Sequence, residues 1–265
     1  MNLTEKDRKD LHKAITLLEN PGIAAKITNF LGTPIEKGIE KLPDNWSKKI
    51  GEVTQMALLK AADAAISTMK DVPNEKASNW WHKVGVAVSG GVGGFFGLPA
   101  LAVELPISTT IMLRSIVDVA REEGESINNP QTKLACLEVF ALGGKNSSDN
   151  DTESGYFAVR AVLAKSVTEA VEFLATKTLA EEGAPHLIKL IVTIAERFSI
   201  QVTEKAAAQA VPAIGAAGGA VINTLFIDHF QDMAKGHFIV RRLERKYGKE
   251  FIKGAYEDML KVETL

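Results

Sequence analysis

Twenty consecutive residues without a charge, VGVAVSGGVGGFFGLPALAV from Val84 to Val103, constrain this chain more than any other feature. A second run of twenty-two, AAAQAVPAIGAAGGAVINTLFI, extends from Ala206 to Ile227. Either is long enough to cross a bilayer as a helix, which takes about 20 residues. In the first run nine large apolar side chains contribute about −0.3 to −0.6 kcal/mol each at the membrane centre, and six glycines, Ser89 and Pro99 offset them. The second, dominated by alanine and glycine, is weaker still. Neither is predicted to be a permanent anchor. What the glycines offer is close approach: Gly90 and Gly94, Gly93 and Gly97, and Gly215 and Gly219 are four apart and share a helix face. Each glycine in a helix costs about 0.8–1.0 kcal/mol relative to alanine, so tight backbone packing is the expected return.

Elsewhere the periodicity is helical. Leu58, Ala61, Ala62, Ala65 and Met69 mark one apolar stripe on a helix from about Trp46 to Lys70. Ala158, Ala161, Val162, Val167, Val171 and Leu174 mark another, from Gly155 to about Ala180. Gly183 and Pro185 stop that helix and open the next, through Leu187, Leu190, Ile191, Ile194 and Phe198. Hairpin signals are absent and alternating Val/Ile/Thr runs are scarce. The expected fold is all-α, a single multi-helix bundle with two central glycine-rich apolar helices. A segment without apolar residues, about 143–154, reads as a solvated loop; its Asp149, Asp151 and Glu153 lack the glycine and the terminal glutamate of a calcium loop.

Charge excludes some functions. Lys and Arg number 31 against 33 Asp and Glu, a net charge of −2, which is no footprint for nucleic acid. The glycines meet neither the P-loop nor the dinucleotide pattern, so no nucleotide is expected. A single cysteine, Cys136, among Leu134, Leu137 and Phe140, makes no internal disulfide and reads as inert. The polar N-terminus has no apolar leader core, so the expected location is cytoplasmic, peripheral at the inner face of the cell membrane.

Polar residues beside the apolar runs are the candidate site: Glu104, Arg114, Asp118, Glu138, Asp228 and Asp232. Glu104 lies between Pro99 and Pro106 and is expected in non-helical chain, with Pro106 opening a helix on which Arg114 and Asp118 can pair. A metal could be gathered by Asp228, His229 and Asp232 with Glu104, which would suit a metal-dependent hydrolase; the H-E-x-x-H spacing is absent, so no cofactor is assigned. Ser67-Thr68-Met69-Lys70 matches S-x-x-K without its companion motifs. Beyond Asp232 the chain turns basic, with Lys235, Arg241, Arg242, Arg245 and Lys246 interleaved with Phe238, Ile239, Leu243 and Tyr247. The pattern reads either as a core-packed helix with a charged face or as an amphipathic helix facing anionic headgroups.

GLPALAVELPISTTIMLRSIVDVAREEGE, CLEVFALGG and AVPAIGAAGGAVINTLF, in that order, resemble the bacterial EcsC protein family over roughly Trp80 to Leu260. The Pro…acid-Leu-Pro…Arg plan is also similar to a membrane-associated helical domain attached to some bacterial GTPases. The resemblance divides the chain into an N-terminal helical extension, 1–44, and an EcsC-like helical domain, 45–265. It implies a cytoplasmic or membrane-peripheral protein serving a transporter, since the family is named for a protein encoded beside an ABC transporter. It implies no reaction and no catalytic residues. The expected function is therefore that of a non-enzymatic accessory protein binding membrane lipid or an integral membrane protein through its glycine-rich apolar helices. The metal-dependent hydrolase and a soluble protein-interaction module are the alternatives.

Overall fold

The computed structural model describes residues 2–19, 22–32, 34–40, 42–68, 98–143, 155–176, 185–209 and 215–263. Among them are ten α-helices and no strand: α1 (Glu5–Leu18), α2 (Ile23–Leu31), α3 (Glu36–Ile39), α4 (Trp46–Thr68), α5 (Leu98–Glu122), α6 (Pro130–Glu138), α7 (Gly155–Thr176), α8 (Pro185–Gln209), α9 (Gly215–Tyr247) and α10 (Lys249–Glu263). A 3₁₀ turn, Val139–Ala141, follows α6. The all-α bundle is as the periodicity predicts, and Pro185 opens α8 as expected. Lys70, Ala180 and most of the expected loop, 144–154, lie outside the described residues.

The organising element is α9, whose 33 residues make a rod about 50 Å long. Around it pack α1, α2, α5, α8 and α10. Where α1 crosses, Gly236 has no side chain, and a Cβ there would stand 2.6 Å from Leu18 Cγ and 3.2 Å from the Ala14 carbonyl. That absence lets Leu11, Ala14, Ile15 and Leu18 bury against α9. Thr4 starts α1: its hydroxyl accepts from the Asp7 N–H at 3.2 Å and donates to the Asp7 carboxylate at 2.6 Å. α1 is one wall of the core, packed against α9 and α10. Phe140, Phe198, Phe226 and Phe230 fill the centre, with ring centroids 4.9–6.0 Å apart.

Two expectations need correction. The chain around Glu104 is helical, because α5 begins at Leu98 and runs through Pro106. Proline inside a helix removes one hydrogen bond and costs about 3 kcal/mol. Here Leu101, Leu105, Met112 and Ile116 make one buried stripe on both sides of it, and packing that stripe along α4 holds the helix together. The second correction concerns the 22-residue uncharged run, which is not one rod: its first residues end α8 and its later ones begin α9. Of the first run, residues 84–97, with Gly90, Gly94 and Gly97, lie outside the described residues.

Candidate functional site

The C-terminal half of α9 faces the turn after α5 and the start of α1, and all three are charged. Arg241 Nε donates to Glu125 at 2.9 Å, and Arg245 pairs with the same carboxylate. Thr132 adds its hydroxyl to Glu125 at 2.7 Å. Arg242 bridges Glu123 at 2.6 Å and Asp10 at 2.8 Å. Lys246 and the Tyr247 hydroxyl both donate to Asp7 at 2.6 Å. Hydrogen bonds from Lys246, Thr4 and Tyr247 hold the Asp7 carboxyl far below the usual carboxylate range. Burial pushes Glu125 up, but Arg241, Thr132 and Arg245 together overrule it and its pKa falls. Arg241, Arg242, Arg245 and Lys246, expected to face headgroups, are thus also paired within the chain. They fasten α9 to α1 and α5, because four carboxylates come within reach once the chain folds. Lys235, Arg245 and Lys246 are exposed, and Lys235 lies on the side of Asp228.

Beside this lies a buried polar group at the junction of α6, α7 and α9. Arg160 grips Glu244 with two bonds, 2.7 and 3.0 Å, and donates to the Tyr156 hydroxyl at 3.3 Å. The phenol oxygen is 3.0 Å from His237 Nδ1. Glu138, one of the predicted residues, is buried here facing Arg160, Arg241 and Glu244. Burial raises its pKa, raises that of Tyr156 and pushes His237 well below its usual value. The group joins α6, α7 and α9 through buried side chains.

The acids expected to converge are separated. Glu104 accepts from Lys205 at 2.9 Å, and the Lys205 ammonium lies 4.8 Å from the Phe226 ring centre. Phe226 and Asp228 are two residues apart on α9, about 200° of rotation, so Asp228 points to the opposite side. There Asp232 pairs with Lys26 at 3.4 Å, and burial, then Asp232, raises the Asp228 pKa. Asp118 pairs with Arg121 within α5, and Arg114 is half-buried a turn earlier. His229 is fully buried, both ring nitrogens lack a hydrogen-bond partner among the described residues, and burial pushes it down to about 3. Its ring packs on Gly143, whose φ of +76° leaves no room for a side chain: a Cβ would stand 2.5 Å from the imidazole. Among the described residues no group of three or more His, Cys, Asp or Glu could hold a metal ion. The hydrolase arrangement finds no support. Cys136 is buried and its thiol pKa is raised by burial, in keeping with an inert side chain.

Sequence reasoning missed Lys205, Arg160, Tyr156 and Glu125. Lys205 alone left a signal, since it continues the buried stripe of Phe198 and Val202 at helical spacing. With the charges paired inside, the outward face of α5 stands out: Val103 is 67% and Ile107 53% exposed, one turn apart, at the end of the first uncharged run. No helix among the described residues is long and apolar enough to cross a membrane.

A model of the EcsC protein family matches residues 5–243. The chain belongs to the EcsC protein family. The match takes in α1 to α8 and most of α9, including the N-terminal helices that carry no recognisable resemblance by eye. No curated protein and no solved structure matches.

Proposed function

We propose that this EcsC family member is a non-enzymatic accessory protein that works at a membrane surface, meeting lipid or an integral membrane protein such as a transporter. The observation that supports the reading is the apolar outward start of α5, where Val103 and Ile107 stand in solvent two turns before Arg114 on the same side. Buried elsewhere, two such side chains contribute about 1.5–3 kcal/mol each, enough for reversible association and too little for an anchor. The pairs Arg160–Glu244, Lys205–Glu104, Arg241–Glu125 and Arg242–Glu123 favour the same reading, because these charges are occupied in joining parts of the bundle.

Flotation with phospholipid vesicles tests it. The wild-type chain is expected in the vesicle fraction, and Val103→Asp/Ile107→Asp in the bottom fraction with unchanged helical circular dichroism. If the wild type stays at the bottom with every lipid and with membranes containing integral proteins, the reading is wrong.

A further inference from the structure

The chain has a second unpaired surface, on α1. At 100° per residue, Leu11, Ala14, Ile15 and Leu18 gather on one side of the helix and are buried against α9. Lys6, Lys9 and Lys13 fill the opposite arc, and Arg8 borders the buried side next to Ile15, with Glu5 and His12 between, all exposed. Four permanent cations therefore face water beside one carboxylate, in a chain whose net charge is −2. Glu5 takes only Lys9, at 2.9 Å, with side chains 85% and 77% exposed, a geometry that binds weakly. Lys6, Arg8 and Lys13 make no ion pair with any described residue. The contrast with α9 is direct: its cations have carboxylates from distant parts of the chain, and those of α1 have none.

We infer that the solvent face of α1 is a docking surface for anionic phospholipid, lying along the bilayer with Lys6, Arg8, Lys9 and Lys13 against headgroup phosphates. The inference deepens the membrane reading above and rests on it. Lys6 and Lys13 are about 10 Å apart along the axis, so the cations reach several headgroups at once. Each basic residue beside an anionic leaflet strengthens binding about five-fold, so three unpaired ones give roughly a hundred-fold preference for charged lipid. No Phe, Tyr, Trp, Asn or Gln lies in the arc to stack on or read a base, which leaves charge without sequence recognition. α1 is tied to the far end of α5, where Arg242 joins Asp10 to Glu123, about 25 Å along α5 from Ile107. The cationic and apolar contacts can therefore be removed separately.

The test is flotation of the full chain with vesicles of phosphatidylcholine alone and of phosphatidylcholine mixed with phosphatidylglycerol, at low and high salt. The expected wild-type result is binding at least ten-fold stronger to the mixed vesicles, falling with salt. Lys6→Gln/Lys9→Gln/Lys13→Gln should cut that preference to about five-fold or less, the share left by Arg8, and leave binding to neutral vesicles and the melting temperature unchanged. Equal binding of wild type to both vesicles overturns this inference and spares the membrane reading. Binding to neither overturns both. A triple variant that keeps the wild-type preference for phosphatidylglycerol, or that loses binding to duplex DNA and not to vesicles, assigns the face to another role and overturns the inference.

Discussion

Replacing Gly236 with alanine separates two effects that normally act together. Alanine favours the helix by about 0.8–1.0 kcal/mol at either Gly236 or Gly219, both inside α9. At Gly219, one of the glycines predicted to form a groove, no described atom lies within 4 Å of the new Cβ. At Gly236 the Cβ meets Leu18 Cγ at 2.6 Å, Leu18 Cδ2 at 3.0 Å and the Ala14 carbonyl at 3.2 Å. Leu18 is 5% exposed and cannot swing into solvent without opening the α1–α9 contact. Overpacking of this kind costs about 1–3 kcal/mol. Gly219→Ala is therefore expected to raise the free energy of unfolding by about 1 kcal/mol, and Gly236→Ala to lower it by up to about 2 kcal/mol. Urea denaturation of the two variants beside wild type reads both values, with unchanged m confirming a common denatured state. A Gly236→Ala chain as stable as Gly219→Ala would show that α1 does not depend on that bare backbone.

His229 keeps neutral only at the expense of acid stability: its folded value near 3 lies below the usual 6.5, so stability is lost as pH falls from 6.5 towards 3, by about 2 kcal/mol at pH 5. His229→Leu should flatten that limb of the stability profile, and an unchanged slope would contradict the assignment. Glu204 acts in the opposite direction. Burial, with Glu36 nearby, raises its carboxyl from 4.5 to about 7, so its contribution is complete below 4.5 and is lost as pH climbs through 7, by up to roughly 3 kcal/mol at pH 8. Glu204→Gln should stabilise the chain at pH 8 and not at pH 4.5. For the Arg160–Glu244 pair, Glu244→Ala should cost about 3–5 kcal/mol by stranding a guanidinium, whereas Arg160→Met/Glu244→Met should be near neutral. Equal losses in the single and double variants, measured by urea, would refute the stranded-charge account.

Helices α4 and α8 are legible in the sequence because each buries a stripe at three- and four-residue steps that local spacing displays, whereas α7 is legible as a helix but buries Val159, Leu163 and Ala170 and leaves the expected Ala161 and Val162 in solvent. The start of α5 is not, since Pro106 is a strong local signal and the stripe that overrules it works only once α4 lies alongside. The basic run of α9 is plain in sign, and its pairings are not. Its partners lie from 116 to 240 residues away, so no reading of neighbours finds them. Glycine spacing likewise marks where a backbone is bare and not what lies against it. Gly219 meets no described neighbour, while Gly236 and Gly38 meet Leu18 and the Ala207 carbonyl at 2.6 Å. Glu104 and Asp228 are both real neighbours of an apolar run, but helical rotation sends them to opposite sides of α9.

The apolar outward start of α5 can be interrogated alone, because Cys136 is buried and its raised thiol pKa keeps it from reacting. A Val103→Cys chain accepts an environment-sensitive fluorophore at position 103 and nowhere else. On adding vesicles the emission is expected to shift to the blue and brighten, as the label leaves water for the acyl boundary, while a label on Lys165→Cys, on the exposed side of α7, stays unchanged. Identical spectra from position 103 with and without membrane would contradict the claim that this face is what the protein presents to a bilayer.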